Sequence, residues 1–215
     1  MIESALTCNL FGMPRIFPSE ILIATKNAGK VAELRELFTG VPIKFKYLHD
    51  FPEIADVAET GTTFEQNAVL KAAGYARRTG ISAIADDSGL EIEFLDGAPG
   101  VYSARYGGED LSFSEKMVLI LAQMKNAESR RARFSCVMVL AGSEGETLCS
   151  AEGVCMGSIA ESPLGAGGFG YDPIFIPDGF GTTFGQLPPA VKQQISHRGR
   201  AAMLIRRYLL HFNAV

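Results

Sequence analysis

The segment Ile21-Leu22-Ile23-Ala24-Thr25-Lys26-Asn27-Ala28-Gly29-Lys30 decides how this chain is read. Four apolar residues, short enough for a buried strand, run into a polar loop, and Val31, Leu34, Leu37 and Phe38 follow at helical spacing. In such a strand, loop and helix unit, the opening N–H groups of the helix, a small amide and a lysine gather where an anion is most easily held. The loop is no Walker motif, because it lacks the glycine count and the Lys-Ser/Thr pair. Alone, it is equally an ordinary helix start with Asn27 as cap. In the functional reading Thr25 and Asn27 donate to phosphate oxygens, and Lys30 neutralises charge on a leaving pyrophosphate.

Outward from this unit, Ile43, Phe45 and Tyr47 alternate with Lys44 and Lys46 as a half-exposed strand. Thr62 or Thr63 opens a helix with a capping partner at Glu65 or Gln66, and Gly80 stops it; Phe64, Ala68, Ala72, Tyr75 and Ala76 form its apolar face. The apolar run Ile81 to Ala85 ends in Asp86-Asp87-Ser88-Gly89, read as a turn, after which Leu90, Ile92 and Phe94 form a strand. Ser112-Phe113-Ser114-Glu115 is a second capping box, opening a helix to about Met124. Strands near 133–140 and 147–156 flank a hairpin turn at 142–145. Gly165 to Gly170 leads into Tyr171-Asp172-Pro173 and a short strand, 174–176, and a last helix of about 199–211 packs through Ala202, Ile205, Leu209 and Phe212. The expected fold is α/β: a mixed, twisted sheet flanked by helices, with a cleft at its strand ends. Residues 1–19, with Gly12, Pro14 and Pro18, read as a loose extension in which Met13 is an alternative start, and 20–215 as one domain of two lobes.

With 215 residues, 47% of them hydrophobic, the chain can bury a full core. A formal charge of -4 offers no general attraction to nucleic acid, which favours a small anionic ligand held by a local cluster. Cys8, Cys136, Cys149 and Cys155 show no metal-ligand spacing and read as inert thiols. Without a span-length apolar run or a secretory start, the expected location is the cytoplasm, away from membranes.

Two adjacent acids after an apolar run are expensive unless solvated or paired with a cation. Neighbouring side chains of an extended chain point in different directions, so Asp86 and Asp87 are expected to do different jobs, with Asp87 facing the cleft. A carboxylate seat beside a phosphate seat implies a polyphosphate carrying Mg²⁺. Glu59 and Gln66 are further metal candidates. Phe169-Gly170-Tyr171-Asp172 sets an aromatic face beside flexible backbone, suited to stacking a nucleobase or, equally, to packing its own loop. Lys192 makes a basic cluster with Ser196-His197-Arg198, a segment that alternatively caps the last helix.

Together these segments resemble, across about residues 21–211, the inosine triphosphate pyrophosphatase family, the bacterial dITP/XTP pyrophosphatases. The matching text is 24–30, Glu59-Thr60-Gly61-Thr62-Thr63-Phe64 with Asn67-Ala68, Ala85 to Leu90, Pro99-Gly100-Val101-Tyr102-Ser103-Ala104-Arg105, Gly168 to Pro173, and Ser196-His197-Arg198. The resemblance implies an elongated two-lobed fold with a central groove, and a homodimeric, Mg²⁺-dependent enzyme. Its reaction would cleave ITP, dITP or XTP to monophosphate and pyrophosphate. It implies that Thr25, Lys26, Asn27, Ala28, Gly29 and Lys30 contact the triphosphate, and that Asp87 is proton acceptor and metal ligand with Glu59 beside it. Ser88 would touch substrate, and Phe169, Gly170, Tyr171, Asp172, Lys192, His197 and Arg198 would hold base and phosphates. Gln66 stands where the family usually has an acid, and Ala58 precedes Glu59 where many members have a second one. A septum-formation type of nucleotide pyrophosphatase and a nucleotide-binding regulator without chemistry are the rival readings.

Overall fold

The computed structural model describes residues 5–8 and 18–212. The rest of the expected extension, Met13 included, and the side chain of Phe212 lie outside the described residues. In chain order the strands are β1 (Leu6–Cys8), β2 (Glu20–Ile23), β3 (Lys44–Tyr47), β4 (Ala83–Ile92), β5 (Arg131–Ala141), β6 (Thr147–Ile159) and β7 (Phe175–Pro177). The helices are α1 (Ala28–Leu37), α2 (Phe64–Thr79), α3 (Phe113–Gln123), α4 (Pro189–Ile195) and α5 (His197–Phe212). The strands form one sheet in the order β1-β6-β5-β4-β2-β3, with β7 paired to β6. β2 runs parallel to both β3 and β4, whereas β1 and β7 run antiparallel to β6, so the sheet is mixed as expected.

The chain divides into two compact units. Unit 1 takes the described residues up to Asp87, together with Cys136–Gly153 and those from Arg198 onward; unit 2 takes Ser88–Ser135 and Val154–His197. In unit 1, β2 shows why the opening segment is decisive. Its alternate residues Ile21 and Ile23 join Leu34 of α1, the capping Phe38 just after it, and Ala202, Ile205 and Leu209 of α5 in one core. Leu22 and Ala24 join Ala68, Ala72, Tyr75 and Ala76 of α2 in another. A period of two on the strand thus meets a helical stripe on each face. In unit 2 a third core gathers Leu90, Ile92, Met117, Ile120, Phe134, Tyr171, Phe175 and Phe184.

Local signals set most boundaries. Asn27 caps α1 by accepting the Lys30 N–H, Thr63 caps α2 through Gln66 N, and Gly80 ends α2 with φ 67°. Ser112 and Glu115 close a reciprocal capping box on α3. Three elements differ from expectation. The expected turn at Asp86-Asp87 is absent: β4 continues unbroken to Ile92, because the carboxylates find cations on the two faces of the sheet and need no solvent. β1, inside the segment read as a loose extension, is a three-residue edge strand whose order comes from β6 and not from its own pattern. The last helix starts at His197, preceded by the short helix α4.

Gly157 permits a close approach of two strands. A Cβ there would lie 2.3 Å from the Ile176 carbonyl and 2.6 Å from the Phe175 ring. Gly157→Ala is therefore expected to push β7 off β6 and cost about 1–3 kcal/mol. Urea denaturation checks this, and an unchanged midpoint would refute it.

Candidate active site

β4 carries two carboxylates side by side, and strand alternation sends them to opposite faces. Asp86 follows the register of Ile84 into the face covered by α1 and α5, whereas Asp87 follows Ala83 and Ala85 toward α2. Ala24 N–H donates to the Ile84 carbonyl (2.7 Å), so both acids lie just past the point where β2 ends. The carboxyl ends of parallel strands, with α1 and α2 leaving on opposite faces, are where α/β sheets hold ligands.

Asp86 is almost fully buried. Its Oδ2 pairs with Lys30 Nζ at 2.9 Å and accepts from Arg198 Nε and Nη2, each at 3.2 Å. Arg198 Nη1 donates to Glu33 Oε2 at 2.8 Å. Burial works to raise the Asp86 pKa, but the Lys30 and Arg198 charges overcome it and hold the carboxyl well below the ordinary range. The Cys136 thiol, 3.9 Å from Asp86 Oδ2, is pushed up by burial and by that carboxylate, which leaves it protonated and inert.

Asp87 has a different environment. Lys71 Nζ donates to its Oδ1 at 2.8 Å and to Glu59 Oε2 at 3.0 Å, so two carboxylates from separate segments converge on one ammonium. Asn67, one helical turn before Lys71 on α2, donates Nδ2 to Asp87 Oδ2 at 3.3 Å and accepts the Gly61 N–H at 2.8 Å. Burial raises the Asp87 pKa, and nearby Glu59 adds to it, against the pull of Lys71 and Lys30. Gln66 caps instead: its Oε1 accepts from Thr62 N at 2.8 Å.

The loop before α1 is organised by its own side chains. Thr25 Oγ1 accepts the Asn27 N–H at 3.2 Å, and Asn27 Oδ1 accepts the Lys30 N–H at 3.1 Å. The first-turn N–H groups of Ala28 and Gly29 have no acceptor within the helix. Lys26 is exposed and pairs with Asp56.

Unit 2 holds a second cluster of expected residues. Lys192 Nζ lies 2.5 Å from Asp172 Oδ2, which also accepts the Phe169 N–H at 2.7 Å. The same ammonium sits over the Phe169 ring, 4.7 Å from its centroid. Gly168 is required here: its φ is +70°, and a Cβ would lie 2.0 Å from the Asp172 carboxylate. Of the two loop aromatics only Phe169 is partly exposed. Tyr171 is core, donating to the Ser103 carbonyl at 2.8 Å and meeting Phe113 edge-on. His197 stacks on Phe134 with centroids 4.6 Å apart. Ser88, directly after Asp87, is half-buried.

A family model described as the Ham1 family matches residues 21–208. The chain belongs to the Ham1 family. It is 49% identical over 184 residues to a dITP/XTP pyrophosphatase of Geobacillus kaustophilus, covering 85% of this chain and 90% of that one. It is 42% identical over 193 residues to a dITP/XTP pyrophosphatase of Geobacter sulfurreducens, covering 89% and 96%. The structure of a HAM1 protein from Coxiella burnetii superposes with a TM-score of 0.83 at 40% identity, covering 89% of this chain and 98% of that one. The Staphylococcus aureus Ham1 protein gives 0.80 at 40% identity, covering 90% and 99%.

Within this Ham1 chain, unit 1 gathers Lys30 and Arg198 on Asp86 and, on the other face of the sheet, Glu59 and Asp87 on Lys71, while unit 2 brings together Phe169, Asp172 and Lys192. Sequence reasoning missed Lys71, Asn67 and Glu33. A signal for the first was present: Lys71 interrupts the apolar face of α2 between Ala68 and Ala72, where a charge is out of place unless paired.

The two acids differ in their stability effects. Because its folded pKa is depressed, Asp86 contributes stability that is fully present above its ordinary value of 3.8 and is lost as pH falls through the folded value. Asp86→Asn removes the charge that pairs the half-buried Lys30 and the buried Arg198 and is expected to cost about 3–5 kcal/mol at pH 7. Urea titrations from pH 7 to 3 should show the gap to wild type narrowing only below about pH 4; a gap that is pH-independent or absent would contradict this.

Proposed function

We propose that this protein hydrolyses non-standard purine nucleoside triphosphates (ITP, dITP and XTP) to the monophosphate and pyrophosphate, clearing them from the nucleotide pool. The observation that carries the reading is the split of Asp86 from Asp87: one anchors cations, and the other is a buried carboxylate of raised pKa, fit to accept a proton. The names of the Ham1 relatives support the substrate class.

The residues fit a hard divalent cation. Asp87 and Glu59 already converge on one positive charge, and Mg²⁺ is held by one or two carboxylates with the remaining positions left to phosphate and water. Oxygens of the substrate and of water would complete the shell. When bound, Mg²⁺ supplies charge neutralisation on the phosphates.

In this proposal the Asp87 carboxylate accepts the proton of the water that attacks the α-phosphorus. Asn67 fixes one of its oxygens, and Lys71 keeps it from protonating too readily. Lys30 spends two contacts on Asp86, the carboxylate and the main-chain carbonyl, which leaves one N–H for the departing pyrophosphate. The loop 25–29 offers main-chain N–H groups to the same phosphates. Unit 2, taken by itself, offers the partly exposed Phe169 ring for stacking a purine, with Gly170, Tyr171 and Asp172 fixing the loop, Lys192 beneath the ring, and Ser88 and His197 as further candidate contacts. A fixed N–H donor at the purine 6-position pairs with the 6-oxo group and is left unpaired by the 6-amino group of ATP. The enzyme is proposed to be a cytoplasmic homodimer; no described helix is long and apolar enough to cross a membrane.

Incubation with ITP and Mg²⁺ is expected to give IMP and pyrophosphate. Orthophosphate as product would overturn the reading, and binding without turnover would favour the regulator. Asp87→Asn should lower kcat by about 10²–10⁴-fold while the protein stays folded; near-normal turnover would remove Asp87 from the proton-accepting role. Glu59→Gln should raise the Mg²⁺ concentration for half-maximal rate at least about tenfold. A metal titration checks this, and an unshifted curve excludes Glu59 as a ligand.

A further inference from the structure

Glu33 lies outside every segment that carries the resemblance, one turn after Lys30 on α1. Its carboxylate receives Arg198 Nη1 at 2.8 Å, Arg198 reaches Asp86 Oδ2 through two donors at 3.2 Å, and the same Oδ2 pairs with Lys30 Nζ at 2.9 Å. The charges alternate around a ring that leaves α1 at Glu33 and returns to it at Lys30, wholly within unit 1. None of the four side chains is more than 16% exposed, so solvent screens the ring weakly.

One oxygen of Asp86 is asked to serve three charged N–H donors. It has two lone pairs, so Lys30 and Arg198 compete for it. What else holds Arg198 then decides how much of Oδ2 remains for Lys30. The 2.8 Å contact to Glu33 is shorter than either contact from Arg198 to Asp86, so Glu33 holds the guanidinium back. Without that pull, the two Arg198 donors already aimed at Oδ2 close on it, fill both of its lone pairs and displace the Lys30 ammonium.

We propose that Glu33 is a positioning residue: by holding Arg198 it reserves Asp86 for Lys30 and so aims the Lys30 ammonium at the pyrophosphate end of the substrate. The inference rests on the pyrophosphatase reading for the identity of the ligand, and on the ring alone for its geometry. Its consequence is that a residue making no substrate contact sets phosphate affinity without touching the metal.

The test is Glu33→Gln, which keeps size and one acceptor but removes the charge. Pyrophosphate with Mg²⁺ is titrated calorimetrically into wild type and variant, and ITP kinetics are measured across Mg²⁺ concentrations. Expected are pyrophosphate binding about tenfold weaker and kcat/KM about tenfold lower, as for loss of one charge-assisted hydrogen bond, with the Mg²⁺ midpoint unchanged. Glu33→Asp, with the charge kept and the reach shortened, should fall between. A folded Glu33→Gln protein with wild-type pyrophosphate affinity overturns the proposal, as does a loss that appears only in the Mg²⁺ midpoint. Should Glu33→Gln fail to fold, Glu33→Asp decides alone: weaker pyrophosphate binding supports the proposal, and wild-type affinity refutes it. If wild type binds pyrophosphate but leaves ITP intact, the catalytic reading fails while the calorimetric comparison still tests the ring.

Discussion

The buried Asp86 carboxylate, held between Lys30 and Arg198, is the interaction on which unit 1 depends. A charge taken from water into a sheet interior is tolerated only when its partners are supplied by the structure packed over it. Here those partners come from the first turn of α1 and the start of α5, the two helices that also cover Ile21, Ile23 and Ile84. The docking of these helices and the neutralisation of Asp86 are therefore one problem with one solution. Moving α1 by a turn would both open the core and leave the acid unpaired. The loop before α1, capped on itself by Thr25 and Asn27, inherits its position from this constraint.

Strand geometry then makes a chemical distinction out of a sequence repetition. Two identical residues in succession face opposite ways, and each meets a different helix layer. Two cations surround Asp86 and fix it in the charged state. Asp87 shares a single lysine with Glu59 and keeps a raised pKa, so its proton affinity lies nearer to what a base needs. Pairs of titratable groups whose surroundings push their pKa values apart are where acid–base work is assigned, and the parity of a single strand is sufficient to produce such a pair.

How much of this was legible in the sequence depends on the range of the interactions concerned. The unit from Ile21 to Phe38, the caps at Thr63 and Ser112, and the stop at Gly80 were readable because each is decided within a few residues. The 142–145 turn was readable for the same reason. The continuation of β4 through Asp86-Asp87-Ser88-Gly89 was not, since local chemistry favours a turn there and only remote cations reverse that preference. β1 owes its existence to an edge of β6 that its own three residues do not announce. In the candidate site the same rule separates Lys30, visible from its place in a helix-opening loop, from Lys71 and Glu33. Their roles are defined by partners 12 and 16, or 165, residues away.

The charge balance of the cluster bears on what it can receive. In this part of unit 1 three cations, Lys30, Lys71 and Arg198, form ion pairs with four carboxylates, Asp86, Asp87, Glu59 and Glu33. Such a site does not attract a bare triphosphate by field alone, in keeping with a chain whose formal charge is -4. Affinity has to come from donors already aimed, namely the N–H groups that open α1 and the one donor Lys30 has left, and from a cation that arrives with the substrate. An excess of one carboxylate is then an advantage. It leaves Asp87 and Glu59 under-neutralised by their single shared lysine, and that deficit is the affinity for a divalent ion.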